Sequence, residues 1–373
     1  MEQKHLNVER TVNQGSFYTP PHLVDMVYDL INSHVNRIED YIIVDTSCGY
    51  GSMLRGARTV GSDIDCVALR QAALNNPHID LFHFNGLSHV KRDNYHIRNS
   101  DNIIIVGNPP YNDKTSLIKH TIKQHNYVID DGLKTRDLGL SFLLSYNTLR
   151  ADYICVLHPL SYLIKKTNFH ALKAFTDHYI LKDSIIISSN EFPQLSKKTH
   201  FPIIIAFYER CTSGMDYRFI EQYTFHTIDK KTWQLKHFDT VDNYILKYPN
   251  AKKVPLEDTV TFFWTLRDIN ALKRNKTFVD KESSTTVRVR PEQFAYYCYV
   301  DIFKEYIHHI PYYFGNCNIC IENETFNAIK HIFIQKACAK YRFLAHCAQK
   351  PAAEYAGLLD AYFQALMGEH YVY

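Results

Sequence analysis

Between Tyr41 and Phe207 the chain alternates short apolar runs with amphipathic stretches. This alternation is typical of a parallel sheet whose strands are joined by crossover helices. The pattern predicts strands at residues 41–45, 59–64, 79–84, 102–107, 153–158, 183–189 and 201–208. It predicts helices at residues 21–32, 64–75, 116–124, 139–149 and 168–175. We therefore expect the first half of the chain to be an α/β domain.

The pattern changes near residue 211, where alternation is replaced by aromatic-rich runs such as DYRFIEQYTFHTI, TVTFFWTL and FAYYCYVDIF. We place a domain boundary there, between a first domain of residues 1–210 and a second, α+β domain of residues 211–373. Residues 351–367 carry apolar side chains at helical spacing. That spacing predicts an amphipathic helix in the second domain.

A glycine turn follows the first predicted strand. In IIVDTSCGYGSML the strand ends on Asp45 and the chain then turns through Gly49 and Gly51. Glycine permits positive φ and lets the backbone approach a ligand closely. Asp63 ends the next predicted strand, close to the roughly 20-residue spacing at which a carboxylate binds a ribose in nucleotide-binding α/β folds. Asp65 is expected to cap the helix that follows.

The ligand of this turn is predicted to be S-adenosylmethionine. The phosphate-binding pattern G-x-G-x-x-G is incomplete after Gly51, which argues against a dinucleotide. A carboxylate at Asp45 would repel a pyrophosphate and attract an ammonium group. S-adenosylmethionine carries an ammonium group, a ribose and a sulfonium. We expect Asp45 to face its methionine end, Asp63 its ribose hydroxyls and Ile64 its adenine.

The tetrapeptide Asn108-Pro109-Pro110-Tyr111 directly follows the fourth predicted strand, at the edge where open α/β sheets bind ligands. Its prolines end regular structure and restrict the backbone. The Asn108 side-chain oxygen and the Pro109 carbonyl can accept hydrogen bonds from a planar exocyclic amine, which stabilises charge that builds on nitrogen during attack on a sulfonium methyl. Tyr111 is predicted to stack on the ring that carries this amine. The chemistry rests on positioning and requires no metal.

Taken in this order, the motifs resemble those of the amino-group DNA methyltransferases of restriction–modification systems, in the adenine-N6 class with C-terminal target recognition. The resemblance covers residues 15–210, and NPPY is matched in full. It implies a Rossmann-like class I methyltransferase sheet, S-adenosylmethionine as cofactor, and extrusion of the target adenine from the duplex. It also implies that residues 211–373 form a DNA-recognition domain. Double-stranded DNA is then the expected partner, together with a cognate restriction endonuclease that acts on the same site.

The resemblance extends the set of candidate cofactor residues. The element GSFYTPP implies that the methionine moiety is bordered by Phe17, Tyr18, Thr19 and Pro20. The family motif D-P-A-C-G-S-G corresponds to Asp45, Thr46, Ser47, Cys48, Gly49, Tyr50 and Gly51, with substitutions at the second, third and sixth positions. Asn85 stands where the family has an acidic residue that contacts the cofactor adenine.

On the substrate side, the resemblance implies an aromatic residue that packs on the second face of the extruded base. Phe192 in FPQ is the first candidate and Phe201 the second. Leu138 and Phe142, in the helix after the catalytic loop, are implied to lie near the cofactor or the base.

Composition adds few constraints. The 373 residues are 46% hydrophobic and 22% charged, with a net charge of +3, which is ordinary for a globular chain. Residues 261–290 carry seven basic and three acidic side chains, and this basic stretch is the predicted site of phosphate contacts. The apolar runs are shorter than the ~20 residues that span a bilayer, and the nine cysteines are scattered. We expect a cytoplasmic monomer or weak dimer without membrane contact.

Two other functions and one metal site remain open from the sequence. An NPPY methyltransferase can act on a glutamine side chain of a release factor or on ribosomal RNA, and the same scaffold can serve as an inactive DNA-binding subunit. Cys317-x-x-Cys320 suggests zinc, but it lacks the paired spacing of zinc ribbons, so buried thiols are the preferred interpretation.

Overall fold

The computed structural model describes residues 18–111, 128–192, 200–246, 254–264, 268–347 and 356–373. These residues form two compact units that divide between Trp233 and Gln234. The division lies beyond the boundary predicted at residue 211 because the following segment is bonded to the sheet. The Ile228 amide donates to the Ile186 carbonyl at 2.9 Å.

A seven-stranded sheet forms the centre of the first unit. Its strands lie in the order β3-β2-β1-β4-β5-β7-β6, and only β7 runs antiparallel to its neighbours. This order defines the Rossmann-like fold of class I methyltransferases and confirms the predicted fold. The strands are β1 Ile42–Asp45, β2 Thr59–Asp63, β3 Asp80–His83, β4 Ile103–Gly107, β5 Tyr153–Pro159, β6 Tyr179–Ser188 and β7 Pro202–Arg210.

Helices flank the sheet at most of the predicted positions. They are α1 Pro21–His34, α2 Cys66–Asn75, α3 Leu138–Thr148, α4 Ser161–Ile164, α5 Lys166–Ala171, α6 Lys173–Thr176 and α7 Tyr217–Gln222. The single helix expected at residues 168–175 is instead a series of short helices, and the helix expected at residues 116–124 lies outside the described residues. The unit ends with the short hairpin β8 Phe225–His226 and β9 Thr232–Trp233.

The register of the central strands determines which residues meet at the carboxyl edge. Asp45 on β1 is paired with Gly61 on β2, and Val44 is paired with Ile105 on β4. The chain order reverses between β1 and β4, so a crevice is expected where these strands end. Both strands are buried along their whole length, which anchors the loops that follow them.

The second unit combines helices with short strands, as expected for an α+β domain. Its core is aromatic, and the Tyr299 ring packs on Phe326, Phe333 and Phe363. Of the C-terminal helix predicted for residues 351–367, the described part, Ala356–Met367, is helical. The elements are β10 Asp239–Thr240, β11 Thr261–Trp264, α8 Ile269–Arg274, β12 Phe278–Val279, β13 Thr286–Val289, α9 Phe294–Tyr306, β14 Cys320–Ile321, α10 Asn323–Lys340 and α11 Ala356–Met367.

Short 3-10 segments connect many of these elements. They are Ile38–Asp40, Arg92–Tyr95, Asp131–Leu133, Ser189–Glu191, Leu235–His237, Val241–Asn243, Pro291–Gln293, Ile307–His309, Tyr312–Phe314, Arg342–Cys347 and Gly368–His370. Within the described ranges, no helix has both the length and the apolar character needed to cross a bilayer.

Candidate active site

Asp45 lies at the centre of the carboxyl edge, between the ends of β1 and β4. The residue is 2% exposed, and its Oδ1 atom accepts a hydrogen bond from the Ser47 amide at 3.0 Å. Gly107 ends β4 so close by that a Cβ atom there would lie 3.0 Å from Oδ1 of Asp45. Burial raises the pKa of Asp45 to about 7, although the Ser47 amide acts in the opposite direction. The site therefore holds a carboxyl group that titrates near neutral pH.

The glycine turn after β1 is bound to the end of β2. The Gly49 amide donates to Oδ2 of Asp63 at 2.8 Å, and the Asp65 amide donates to Oδ1 at 2.9 Å. Gly49 and Gly51 have φ of 51° and 75°, a left-handed conformation that glycine adopts without strain. A carboxylate can accept about four hydrogen bonds, so Asp63 retains capacity for a ribose diol. Asp65 caps α2, as predicted.

Further candidate cofactor residues lie along the same edge. Ile64 follows Asp63 directly and is 47% exposed, a suitable surface for a flat apolar ring. Asn85 follows β3, but its side chain bonds within the protein: Nδ2 donates to the Val128 carbonyl at 2.8 Å, and Oδ1 accepts from the Leu87 amide at 3.0 Å. A contact between Asn85 and the cofactor adenine therefore stays a prediction and would require exchange of these bonds.

The segment after β3 packs directly on the loop after β1. Gly86 is buried, and a Cβ atom there would lie 2.6 Å from the Thr46 carbonyl oxygen. We expect Gly86→Ala to lower the free energy of unfolding by about 1–3 kcal/mol, because the backbone must shift to relieve the overlap. Urea denaturation would measure the change. Gly132→Ala is the matched control, since, apart from its chain neighbours and its own helix backbone, no heavy atom of the described residues lies within 4 Å of a Cβ at that position. Equal stability of the two variants would contradict this packing.

The tetrapeptide directly follows β4, where the sequence placed it. Asn108 is partly buried and Pro109 is buried. The Asn108 side chain reaches the segment that precedes α1, where its Nδ2 atom donates to the Thr19 hydroxyl at 3.2 Å. Thr19 and Pro20 are themselves buried. The structure therefore brings the predicted N-terminal cofactor element next to the predicted catalytic loop.

The two aromatic residues assigned to the base belong to one hydrophobic cluster. Tyr111 is partly buried against the cluster, whereas Phe192 is 1% exposed within it. Burial raises the pKa of the Tyr111 hydroxyl well above its usual value, and the Asp137 charge raises it further. Phe201 packs at the margin of the same cluster. Stacking of Phe192 on a base stays a prediction that requires this side chain to leave the core.

The remaining candidates are placed as follows. Tyr18 is partly exposed, and Phe17 lies outside the described residues. Cys48 is buried, and Phe142 is 6% exposed on α3. Thr46 is 1% exposed, and its carbonyl accepts a hydrogen bond from the Ser62 hydroxyl at 3.3 Å.

Sequence reasoning missed the contacts made by Gly107 and Gly86. Each glycine allows one loop to pack on another that is distant in the chain, and only the three-dimensional structure shows which loops meet. Gly107 ends the IIIVG run, and a glycine at the end of an apolar strand was the one sequence feature that suggested a close contact there.

The basic stretch at residues 261–290 was expected to contact phosphates, but one of its arginines is bonded within the second unit. The Arg288 guanidinium forms two hydrogen bonds with Glu282, at 3.0 and 2.9 Å, and a third with the Val254 carbonyl at 2.7 Å. Arg288 therefore serves at least partly to stabilise the unit. Arg290 lies 3.6 Å from Glu292, and Arg267 is outside the described residues.

Cys317 and Cys320 are both buried. Among the residues described, no cluster of three or more His, Cys, Asp or Glu side chains is arranged to hold a metal ion.

Comparisons with known proteins find structural likenesses of low sequence identity. No family model and no curated protein matches the chain. The chain is similar to DrdV in its complex with DNA, with 13% identity and a TM-score of 0.43 over 63% of this chain and 30% of that one. It is similar to the methyltransferase subunit of a type I restriction-modification system from Streptococcus thermophilus, with 15% identity and a TM-score of 0.39 over 60% and 48%. It is also similar to TrmN from Thermus thermophilus, with 15% identity and a TM-score of 0.33 over 55% and 53%. The assignment of the fold rests on the strand order of the central sheet in this chain.

Proposed function

We propose that this protein is an S-adenosylmethionine-dependent methyltransferase that modifies the exocyclic N6 amine of adenine in double-stranded DNA. The observation that carries the proposal is the convergence of three strand ends at one sheet edge. Asp45 ends β1, Asp63 ends β2 and binds the glycine turn, and the Asn108 tetrapeptide follows β4. The proposed biological role is protection of host DNA in a restriction–modification system.

The chain's own residues fit S-adenosylmethionine. The side-chain oxygen of Ser47 is buried and has no hydrogen-bond partner within the part of the chain that the structure describes. Asp45 and this hydroxyl would hold the amino-acid end, Asp63 would accept from the ribose, and Ile64 would cover the adenine. When bound, the cofactor supplies an electrophilic methyl group on a positively charged sulfur. The left-handed glycines allow the backbone to approach such a ligand closely.

The tetrapeptide would orient the acceptor amine. The lone pair of an adenine amine is delocalised into the ring, so the free amine is a weak nucleophile. Hydrogen bonds from this NH₂ group to the Asn108 oxygen and the Pro109 carbonyl favour the geometry in which the lone pair is available. They also stabilise the positive charge that develops on nitrogen. The amine releases its proton after transfer, so no general base is required at this position.

An adenine within a duplex must leave the base stack to reach this edge, at a cost of a few kcal/mol. We propose that residues 234–373 supply the compensating DNA contacts, because this separate unit contains the basic stretch. A cognate endonuclease and a monomeric or weakly dimeric state are part of the same proposal.

We expect the purified protein to transfer label from methyl-tritiated S-adenosylmethionine to duplex DNA, and the labelled nucleoside to be N6-methyladenine. Parallel reactions would contain ribosomal RNA, a peptide-chain release factor, and DNA whose adenines are already N6-methylated. Label in RNA or protein but not in DNA would favour the other NPPY substrates. Binding of DNA without transfer to any acceptor would favour an inactive DNA-binding subunit. Sequencing DNA from an expressing host for modified adenines would identify the recognition site.

A further inference from the structure

Thr19 and Asn108 meet at the site from segments far apart in the chain. Asn108 Nδ2 donates to the Thr19 Oγ1 atom at 3.2 Å. Thr19 is 3% exposed, so water competes little for this bond. The resemblance to methyltransferases implies that Thr19 borders the cofactor, but it assigns Thr19 no role toward Asn108.

The position of the Thr19 hydroxyl is determined by a rigid element. Thr19 precedes Pro20, which restricts its backbone to extended conformations. The Pro20 carbonyl accepts hydrogen bonds from the Leu23 and Val24 amides at 3.0 and 3.2 Å, in the first turn of α1. Leu23 and Val24 are buried in the core of the unit. Thr19 therefore directly precedes a helix that is packed in the core, and this restricts the position of its hydroxyl.

Asn108 has less constraint in its side chain than in its backbone. The buried strand β4 precedes it and Pro109 follows it, so its main chain has little freedom. Its terminal torsion is broad and roughly two-fold, and half a turn exchanges the oxygen and nitrogen of the carboxamide. With nitrogen in place of oxygen, the group would present a donor to the substrate amine, which also donates. The proposed chemistry therefore depends on how this torsion is restrained.

We propose that Thr19 is a positioning residue that holds the Asn108 carboxamide in place for the transfer step. The bond from Nδ2 to the hydroxyl ties the carboxamide to the segment before α1 and limits rotation about the last torsion of Asn108. This inference rests on the proposed function. It assigns to the N-terminal element a role in the transfer step that is separate from cofactor affinity.

Thr19→Val tests the inference, because valine has nearly the shape of threonine but no hydroxyl. We expect the single-turnover methyl-transfer rate at saturating cofactor to fall about 10- to 100-fold, the scale of a misplaced catalytic group. The dissociation constant for S-adenosylmethionine, measured by calorimetry, should stay within about twofold of the wild-type value. Thr19→Ser retains the hydroxyl and should recover most of the rate.

Thr176→Val is the control for loss of a buried threonine hydroxyl, since Thr176 is 3% exposed and its hydroxyl donates to a nearby residue in the chain, the Lys173 carbonyl, at 3.3 Å. It should leave the transfer rate unchanged. A wild-type rate in Thr19→Val overturns the inference, as does weaker cofactor binding with an unchanged rate, which would assign Thr19 to the cofactor. Absence of transfer by the wild-type protein to any acceptor refutes the proposed function, and the inference with it, before any variant is compared.

Discussion

Replacement of Asn108 by alanine should lower the methyl-transfer rate by a factor of at least about 100, while S-adenosylmethionine binding remains nearly unchanged. The expected size follows from the cost of removing one pre-organised hydrogen-bonding group from a site where charge develops, about 10²–10³ in rate. The cofactor should be unaffected because Asp45, the glycine turn and Asp63 keep their mutual hydrogen bonds. Single-turnover transfer to duplex DNA and calorimetric binding of the cofactor would measure the two effects separately.

Asn102→Ala is the matched control, because Asn102 is exposed and directly precedes β4 at its opposite end. This variant should transfer methyl groups at the wild-type rate. Wild-type turnover by Asn108→Ala would show that the Asn108 oxygen does not stabilise the reacting amine. A matching loss of cofactor affinity and rate would assign Asn108 to binding.

Replacement of Asp45 by asparagine should stabilise the folded protein at pH 8 and weaken cofactor binding. Burial raises the pKa of Asp45 to about 7, well above the value of about 3.9 for an unfolded chain. The folded state therefore binds more protons between these values, and stability falls as the pH rises from about 4 to about 7. The difference of about three pKa units sets an upper limit of about 4 kcal/mol on the cost of the charge at pH 8.

We expect Asp45→Asn to raise the free energy of unfolding at pH 8 by about 1–3 kcal/mol, with little change at pH 4, when measured by urea denaturation. The gain is below the limit because the asparagine carboxamide must itself be removed from water at this buried position. Asp80→Asn is the control, since Asp80 is exposed on the same sheet and should shift stability by less than about 0.5 kcal/mol. Destabilisation by Asp45→Asn at pH 8 would mean that the carboxylate is favourable in the fold.

The same substitution should weaken S-adenosylmethionine binding at pH 8 by about 10- to 100-fold, the scale of a lost hydrogen bond to a charged group. In the wild-type protein, affinity should increase from pH 6 to pH 8 as Asp45 ionises, whereas Asp45→Asn should show no such increase. Calorimetry at both pH values would test this. Retention of the wild-type pH dependence in the variant would place the titrating group elsewhere. The Asp45 carboxylate would then lower the stability of the fold and, in exchange, bind the cofactor.

Secondary-structure elements were predicted well where their burial produces a distinct sequence pattern, and poorly where it does not. The central strands β1 and β4 were recognisable because strands buried along their whole length require continuous apolar runs, and Pro21 marked the start of α1. The segment at residues 161–176 was harder, because three short helices share one amphipathic pattern. The run FAYYCYVDIF was not recognised as a helix, although Phe294–Tyr306 is helical, since aromatic residues on all sides hide the periodicity of a buried helix.

The amino-acid sequence by itself determined the order of the motifs and which side chains end each strand, because apolar periodicity and proline chemistry act locally. The tertiary structure decided which of those ends meet. The carboxylate of Asp45 lies against Gly107, Gly86 lies against the Thr46 carbonyl, and Asn108 donates to Thr19. It also placed Phe192 in the core and paired Arg288 with Glu282. These contacts join residues that are distant along the chain, and their pairing follows from strand register and loop packing.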